Sequence, residues 1–397
     1  MNTKKTKKRQ HTILGILSGI IAGAGIGYLF GSFGFDTGAG ANHSVMVKLT
    51  LVPLAVFSIL LVIAIHELGH LLAGWSQQFE FRYISVGPIL FEKELDQLRF
   101  KWNKNFNTYG GFVICLPNDQ VRLTKRFAVF TAGGPLASIL YGLLLLLILR
   151  HSTINQEAVS GYFLHAFVLM NCVFTLCIGL LALIPMHTEG LTSDGGRLLN
   201  LLKGGPNAQI ETTLLQYITL AAAGTRPALF APEPLLQAIA LPVESPMKPY
   251  LHSMLYSYYL DVKDLEKAAF HLDAYLQHAA NVPKGYVATL YLEKAWFEAR
   301  YHKNVALATE YFQKEKFGVM VAQAQVLRTE AAIAFAEGNK ELAVAKAAAA
   351  IKELPKLIDK GAAIAEKEWL QEMLQEMELE TQATNEQVVP ESDRLLF

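Results

Sequence analysis

Four apolar stretches of the chain are each long enough to cross a lipid bilayer, and they constrain the fold more than any other feature. They cover about residues 12–30, 49–65, 127–149 and 162–184, and a spanning helix needs about 20 largely apolar residues. Because the bilayer core holds no water to satisfy backbone groups, such segments form helices. We therefore expect an all-α membrane protein built on a four-span helical bundle.

The overall composition agrees with membrane segments rather than one large soluble core. Charged residues make up 18% of the 397 residues, whereas soluble domains usually carry about 25%. The formal net charge is zero, so no global field would attract nucleic acid. The three cysteines are odd in number and form no C-x-x-C pair, which argues against a disulfide framework or a cysteine-based zinc site.

The segments that connect the apolar stretches alternate between rich in Lys and Arg and free of them. The N-terminus and residues 76–126 are rich in them, whereas residues 33–47 and 151–161 contain none. Cytoplasmic connections carry the excess of Lys and Arg, so we expect both termini in the cytoplasm. A basic start followed by an apolar run could also be a signal peptide. The run is long and further spans follow it, which favours an uncleaved first span within residues 1–44.

Two local patterns accompany the spans. In the first span, glycines recur every four residues from Gly15 to Gly31, a seam that permits close helix docking, dimerisation or ordinary small-residue packing. Residues 80–116 contain short β-prone runs broken by Gly and Asn, which predict one or two hairpins near the membrane surface. Such a hairpin could hold an extended substrate by strand addition or anchor the chain to the membrane surface, and the sequence leaves both possibilities open.

The chain becomes helical and more charged from residue 206 onward. Polar turns followed by Ala-rich amphipathic helices recur near residues 263, 303 and 339, close to the period of paired-helix repeats. We expect residues 206–380 to form a cytoplasmic α-helical domain similar to tetratricopeptide repeats, with an irregular helical bundle as the alternative. Residues 381–397 are polar, and we expect a disordered tail.

One short motif in the second span carries catalytic chemistry. His66 and His70 lie four residues apart, so both imidazoles project from one face of a helix and can bind one zinc ion. Glu67 lies beside them, where a carboxylate can take a proton from zinc-bound water and deliver it to a leaving amine. Three ionisable groups in an apolar run would be costly without a metal, so we predict a zinc site.

Zinc needs a third protein ligand, which leaves one position for water. The candidates follow the fourth span. Asp194 precedes two glycines that leave room for close approach, and His187 and Glu189 are its competitors. Read alone, the segment Asp194-Gly195-Gly196 would be only a turn.

These motifs together resemble the site-2 protease family of intramembrane metalloproteases. The resemblance covers about residues 45–205 and rests on three segments: His66-Glu67-Leu68-Gly69-His70, Gly133-Gly134-Pro135-Leu136-Ala137-Ser138, and Pro185 followed by Ser193-Asp194-Gly195-Gly196. It implies a core of three spans, zinc held by His66, His70 and Asp194, Glu67 as the base, and cleavage of membrane-embedded substrates.

The chain departs from the family pattern in two ways. Ala182 stands where relatives often have Asn, and relatives often have a second Asn near the position of Ser138. The connection from Pro185 to Asp194 is also longer than in many of them. Asn171, inside the fourth span, could replace a missing Asn or simply join two helices by a hydrogen bond.

The sequence therefore predicts an intramembrane zinc endopeptidase in a bacterial cell membrane. Its expected partners are the lipid bilayer, a single-span or membrane-bound peptide substrate, and a protein regulator at the C-terminal helices, with no nucleic acid. Two alternatives stay open. One is a membrane-anchored zinc protease that acts on soluble peptides at the cytoplasmic face, and the other is a non-catalytic membrane adaptor that works through its helical domain.

Overall fold

A computed structural model describes residues 49–95, 97–103, 109–188, 191–282, 284–315, 317 and 321–388. The predicted first span, with its glycine seam, lies outside these residues. The chain divides into two compact units, one formed by Met1–Lys93 and Leu98–Ala208 and the other by Glu94–Gln97 and Gln209–Phe397.

Three helices of the first unit are long and apolar enough to cross a membrane, among the described residues. They are α1 (Leu51–Ser76), α2 (Leu123–His151) and α3 (Val159–Leu183). They coincide with the second, third and fourth predicted spans, although α2 begins earlier than predicted and continues through Pro135. The mostly helical membrane fold is thus as predicted for these three spans.

Helices α1 and α2 cross in direct backbone contact. A Cβ atom placed on Gly69 would lie 2.4 Å from the carbonyl oxygen of Gly133, and the reverse substitution would meet the carbonyl oxygen of Gly69 at the same distance. Any larger side chain at either position would force the helices apart. This close crossing, typical of small residues between membrane helices, brings the histidine face of α1 against α2.

A small sheet connects α1 to α2. Its strands are β1 (Phe79–Val86), β2 (Ile89–Glu94), β3 (Gln97–Trp102) and β4 (Phe112–Pro117), in the spatial order β3-β2-β1-β4. The β1–β2 hairpin agrees with the prediction for residues 80–116. The antiparallel return of β4 to β1, which makes a four-stranded sheet, was not foreseen.

Beyond α3 the chain forms a miniature hairpin of β5 (His187–Thr188) and β6 (Leu191–Thr192) before α4 (Asp194–Lys203) begins. The rest of the chain is helical: α5 (Pro206–Ala222), α6 (Pro232–Ala240), α7 (Lys248–Asp261), α8 (Leu265–Leu276), α9 (Lys284–Phe297), α10 (Val305–Gln313), α11 (Gln323–Ala336), α12 (Lys340–Glu353) and α13 (Lys360–Val388). Helix α13 passes residue 381, where the sequence suggested that a disordered tail begins.

The helices of the second unit form three hairpins with the same kind of turn. In each, a residue with positive φ precedes an Asp or Asn that caps the next helix through a hydrogen bond from the backbone N–H three residues on. These pairs are Lys263-Asp264, Lys303-Asn304 and Gly338-Asn339. They explain the recurring polar turns of the sequence, because Asp and Asn are preferred helix caps.

Candidate metal centre

The structure brings His66, His70 and Asp194 together. The Nε2 atoms of His66 and His70 lie 3.2 and 3.4 Å from Oδ2 of Asp194. One ligand atom from each of the three side chains falls within 4.8 Å of the others. Both histidines are buried and Asp194 is half-buried, so this cluster of ionisable groups sits in a poorly solvated place.

Second partners hold both imidazole rings in orientation. Nδ1 of His66 lies 3.0 Å from Oγ of the fully buried Ser138, and Nδ1 of His70 lies 2.9 Å from the carbonyl oxygen of Phe130. A carbonyl oxygen only accepts, so this shorter contact calls for a proton on Nδ1 of His70 and leaves Nε2 as the atom for a metal, while the backbone N–H of Gly134 also lies 3.3 Å from Nδ1. Metal-binding histidines are oriented in this way by a hydrogen bond at the other nitrogen.

Gly134 leaves an open space in front of these nitrogens. A Cβ atom at position 134 would lie 2.3 Å from Nε2 of His70 and 2.8 Å from Nε2 of His66. A methyl group there would fill the position at which a metal could meet both rings. The glycine of α2 therefore leaves the space that the histidines of α1 face.

Asp194 is placed by the turn that precedes it. Ser193 caps α4 by accepting a hydrogen bond from the backbone N–H of Gly196, and it also accepts one from the N–H of Met186. The hydroxyl of Ser193 donates to the carbonyl oxygen of Ile184 at 2.7 Å. Asp194 is consequently fixed at the first turn of a helix, whose N–H groups favour a carboxylate.

The β5–β6 hairpin accounts for the long connection between Pro185 and Asp194. His187 pairs with Thr192, and the N–H of Ser193 donates to the carbonyl oxygen of Met186. The chain thus leaves at Met186 and returns beside it at Ser193. The additional residues form an excursion, and Asp194 reaches the histidines as it would after a short connection.

The charge state of Asp194 suits a metal ligand. Burial alone would raise its pKa, but when the rings of His66 and His70 are protonated, their hydrogen bonds and positive charges outweigh burial and hold the pKa well below its ordinary value. Asp194 is therefore an anion at neutral pH.

Glu67 of α1 is buried beside Gly111, the residue that precedes strand β4. A Cβ atom on Gly111, whose φ is +96°, would lie 2.4 Å from Oε1 of Glu67 and 2.7 Å from Cγ2 of Ile63. Both the positive φ and the contact require glycine here. The carboxylate of Glu67 therefore lies against the backbone that leads into the sheet.

The other residues considered from the sequence are placed differently. The amide of Asn171 donates to Oγ of Ser58 at 3.0 Å and to the carbonyl oxygen of Phe167. Ser58 lies eight residues before His66, which is about 12 Å along α1, so Asn171 joins two helices away from the cluster. Glu189 and the side chain of His187 lie outside the described parts of the chain.

The residues present fit zinc. Two neutral imidazoles and one carboxylate are a donor set of catalytic zinc sites, which keep a position for water. Here the donors converge, their second partners are in place, and Gly134 keeps the space between them open.

Sequence reasoning missed Phe130 and Gly134 as parts of the site, although Gly134 and Ser138 both stand in the segment Gly133–Ser138.

Comparison with known proteins adds one match. Residues 54–158 match the model of peptidase family M50, which confirms the resemblance to the site-2 protease family. This segment contains His66, Glu67, His70, the sheet and α2, whereas Asp194 lies beyond it. No match was found among curated proteins or among solved structures.

Proposed function

We propose, from the membership of residues 54–158 in peptidase family M50, that this integral membrane protein is a zinc endopeptidase that cleaves membrane-embedded substrates. The observation that carries the proposal is the convergence of His66, His70 and Asp194, with the buried Glu67 following His66 on the same helix. A membrane adaptor would have no need of these four groups in one place, which speaks against the non-catalytic alternative.

In the proposed mechanism, Nε2 of His66, Nε2 of His70 and a carboxylate oxygen of Asp194 would hold zinc. When bound, zinc supplies a Lewis acid that polarises a carbonyl group and lowers the pKa of water. Glu67 takes the proton of the attacking water and then delivers it to the leaving amine, as a general base and then a general acid. Ser138 and the carbonyl oxygen of Phe130 keep the two rings aligned.

Strand β4 is the proposed site for the scissile peptide. Among the described residues β4 pairs with β1, and its opposite edge can accept an extended chain by strand addition. Because Gly111 lies beside both Glu67 and the first residue of β4, a peptide added there would pass close to the base. Phe100 and Trp102 of β3 are exposed apolar side chains that favour contact with the membrane, so holding substrate and anchoring the sheet are compatible roles.

Membrane-embedded substrates are favoured over soluble peptides by the surroundings of the motif. His66, Glu67 and His70 lie on α1, one of the three helices that can span a membrane. A site within such a helix is reached most directly by chains that are themselves in the bilayer. Soluble peptides at the cytoplasmic face are the competing substrate class, and they would require only a different route of access.

The second unit is proposed to recognise a protein partner. Its three capped helical hairpins are consistent with an array like tetratricopeptide repeats, and such arrays present extended binding surfaces. We place this unit and both termini in the cytoplasm on the basis of the Lys and Arg distribution.

The test compares cells that produce the wild-type chain with cells that produce Glu67→Gln. The variant removes the base and leaves all three proposed ligands, so it should keep its zinc and lose activity. General acid–base catalysis is typically worth about 10²–10⁴ in rate, and substrates should accumulate uncut by comparison. Accumulation of single-span membrane proteins supports the proposal, accumulation of soluble peptides alone supports the competing substrate class, and equal turnover in both cells contradicts the mechanism.

A further inference from the structure

One face of α1 carries a row of apolar side chains that the described helices cover only in part, since Phe57 stacks on Phe167 of α3 and Leu71 packs with Phe130 of α2. Its members follow one another at spacings of four and three residues: Phe57, Leu61, Ala64, Leu68, Leu71 and Trp75. This spacing is the contact stripe of a helix that packs against another helix. Leu68 is 45% exposed and Trp75 is 55% exposed, so a large part of the row stays open among the described residues.

The row forms the floor of a groove of about 620 Å³, and the sheet forms its wall. Ile84 of β1, Phe91 of β2 and Leu98 of β3 contribute to that wall, and every lining side chain is apolar. From Phe57 to Trp75 the groove runs about 27 Å along α1. Its length is thus close to the thickness of the bilayer core, about 30 Å.

The groove is separate from the proposed catalytic site. No residue of β4 lines it, and neither do His66, Glu67, His70 or Asp194. Glu67 lies against Gly111, which leads into β4, whereas the groove lies under β1, β2 and β3. A scissile peptide on the free edge of β4 would therefore leave the groove unfilled, which argues against the substrate as its occupant.

We propose that the first predicted span of this same chain, residues 12–30, docks in the groove with its glycine seam against the row on α1. The other two spans meet α1 beside the row, α2 at Gly69 and α3 at Ser58, and they touch the row itself at Leu71 and Phe57. About 20 residues separate the end of the first span from Leu51, and consecutive elements joined by short connections are usually neighbours. The tether also gives this segment a high effective concentration at the groove.

The two surfaces are complementary in length, shape and direction. The seam from Gly15 to Gly31 extends about 24 Å in a helix, which matches the groove. Bulky side chains such as Phe57 and Leu68 fit against glycines, which let a backbone approach closely. The alternation of Lys and Arg directs the first span outward and α1 inward, so Gly23, the middle of the seam, meets Ala64, the middle of the row.

The experiment is cysteine crosslinking of the full-length chain in membranes, in a background where Cys115, Cys172 and Cys177 are alanine. The pair Gly23→Cys with Ala64→Cys should form an intramolecular crosslink with a short bifunctional thiol reagent. The matched control pair Ile21→Cys with Ala64→Cys places the first thiol about 160° around the helix and should crosslink at least fivefold less. A second control, Gly23→Cys with Leu140→Cys, tests an exposed position on α2 and should also stay uncrosslinked.

Three outcomes overturn the proposal. The first is equal crosslinking of the Gly23 and Ile21 pairs. The second is a crosslinked dimer of the single variant Gly23→Cys, which would assign the seam to a second copy of the chain. The third is free labelling of Leu68→Cys by a membrane-soluble maleimide in the full-length chain, which would show that lipid fills the groove. Leu68→Cys alters only the groove and keeps the native glycines, so a folding defect of the Gly23 variants cannot hide the answer.

Discussion

At the scale of single residues, Gly134 is a position where one methyl group would reach directly into the candidate metal centre. An Ala side chain there would put its Cβ atom 2.3 Å from Nε2 of His70, in the space that the proposed metal needs. We expect Gly134→Ala to lower zinc affinity by about tenfold or more, the scale of effect seen when groups around a metal site are altered. Equilibrium dialysis against a zinc indicator measures the affinity.

The matched control for this prediction is Gly110→Ala. A Cβ atom on Gly110 meets nothing within 4 Å, so the substitution changes the same residue type without filling the site. It should bind zinc like the wild-type chain. If Gly134→Ala bound zinc as tightly as Gly110→Ala, the proposed position of the metal would be wrong.

The ligand residues differ in how much of their role can be inferred from the sequence. His66 and His70 are four residues apart, so the geometry of one helix turn is enough to place them on one face. Asp194 needed the family resemblance, because its approach depends on two further spans and on the β5–β6 hairpin. The contacts of Ser138 and Phe130 with the rings depend on the exact rotation of α2 against α1, which no local pattern encodes.

At the scale of elements, the histidine pair between α7 and α8 predicts how acid affects the second unit. Nδ1 of His252 lies 2.9 Å from Nδ1 of His271, and burial lowers the pKa of each to about 4. The unfolded chain, with a histidine pKa of about 6.5, takes up protons first. Keeping these histidines neutral therefore costs no free energy of folding above about pH 6.5. Below that pH the free energy of unfolding decreases, and the loss continues as the pH falls toward 4.

Glu366 on α13 acts in the opposite direction. Burial raises its pKa to about 7, although Arg328, whose Nη1 atom lies 3.1 Å from Oε1, works against the shift. The folded state binds the proton first, so this group adds stability as the pH falls from about 7 to about 4.5. The two effects overlap in the same range, and single variants are needed to separate them.

We expect His252→Gln to flatten the loss of stability between pH 7 and pH 5, and Glu366→Gln to steepen it. The measurement is the urea midpoint of a fragment of residues 206–388 at each pH, because this unit carries its own apolar core. His278→Gln, at an exposed histidine whose charge contributes less than burial to the low pKa of His252, serves as control and should change the slope least. Equal slopes in all three variants would contradict the assignment.

The elements also show where sequence patterns stop. The polar turns and Ala-rich helices could be predicted from the sequence because each helix cap depends on residues only three apart. The pairing of β4 with β1 could not be predicted, since strand order depends on contacts between residues far apart in the sequence. In the sequence, Gly111 is only one of the glycines that break the β-prone runs of residues 80–116. Its contact with Glu67 makes it part of the site.

At the scale of the whole molecule, the topology follows from the alternation of Lys and Arg. We expect single cysteines at Ala39 and Asn155 to react with an impermeant maleimide added outside intact cells. A cysteine at Lys104 should react only after the membrane is opened, because the basic connection between α1 and α2 belongs in the cytoplasm. Reaction of position 104 from outside would invert the arrangement.

The central claim is that His66, His70 and Asp194 hold one zinc ion, and the metal content of purified protein tests it most directly. Asp194→Ala and Glu189→Ala should be purified beside the wild-type chain and analysed by mass spectrometry of the metal. We predict about one zinc per chain in the wild type and in Glu189→Ala, and little in Asp194→Ala. Zinc retained by Asp194→Ala and lost from Glu189→Ala would contradict the account and reduce Asp194-Gly195-Gly196 to a structural turn.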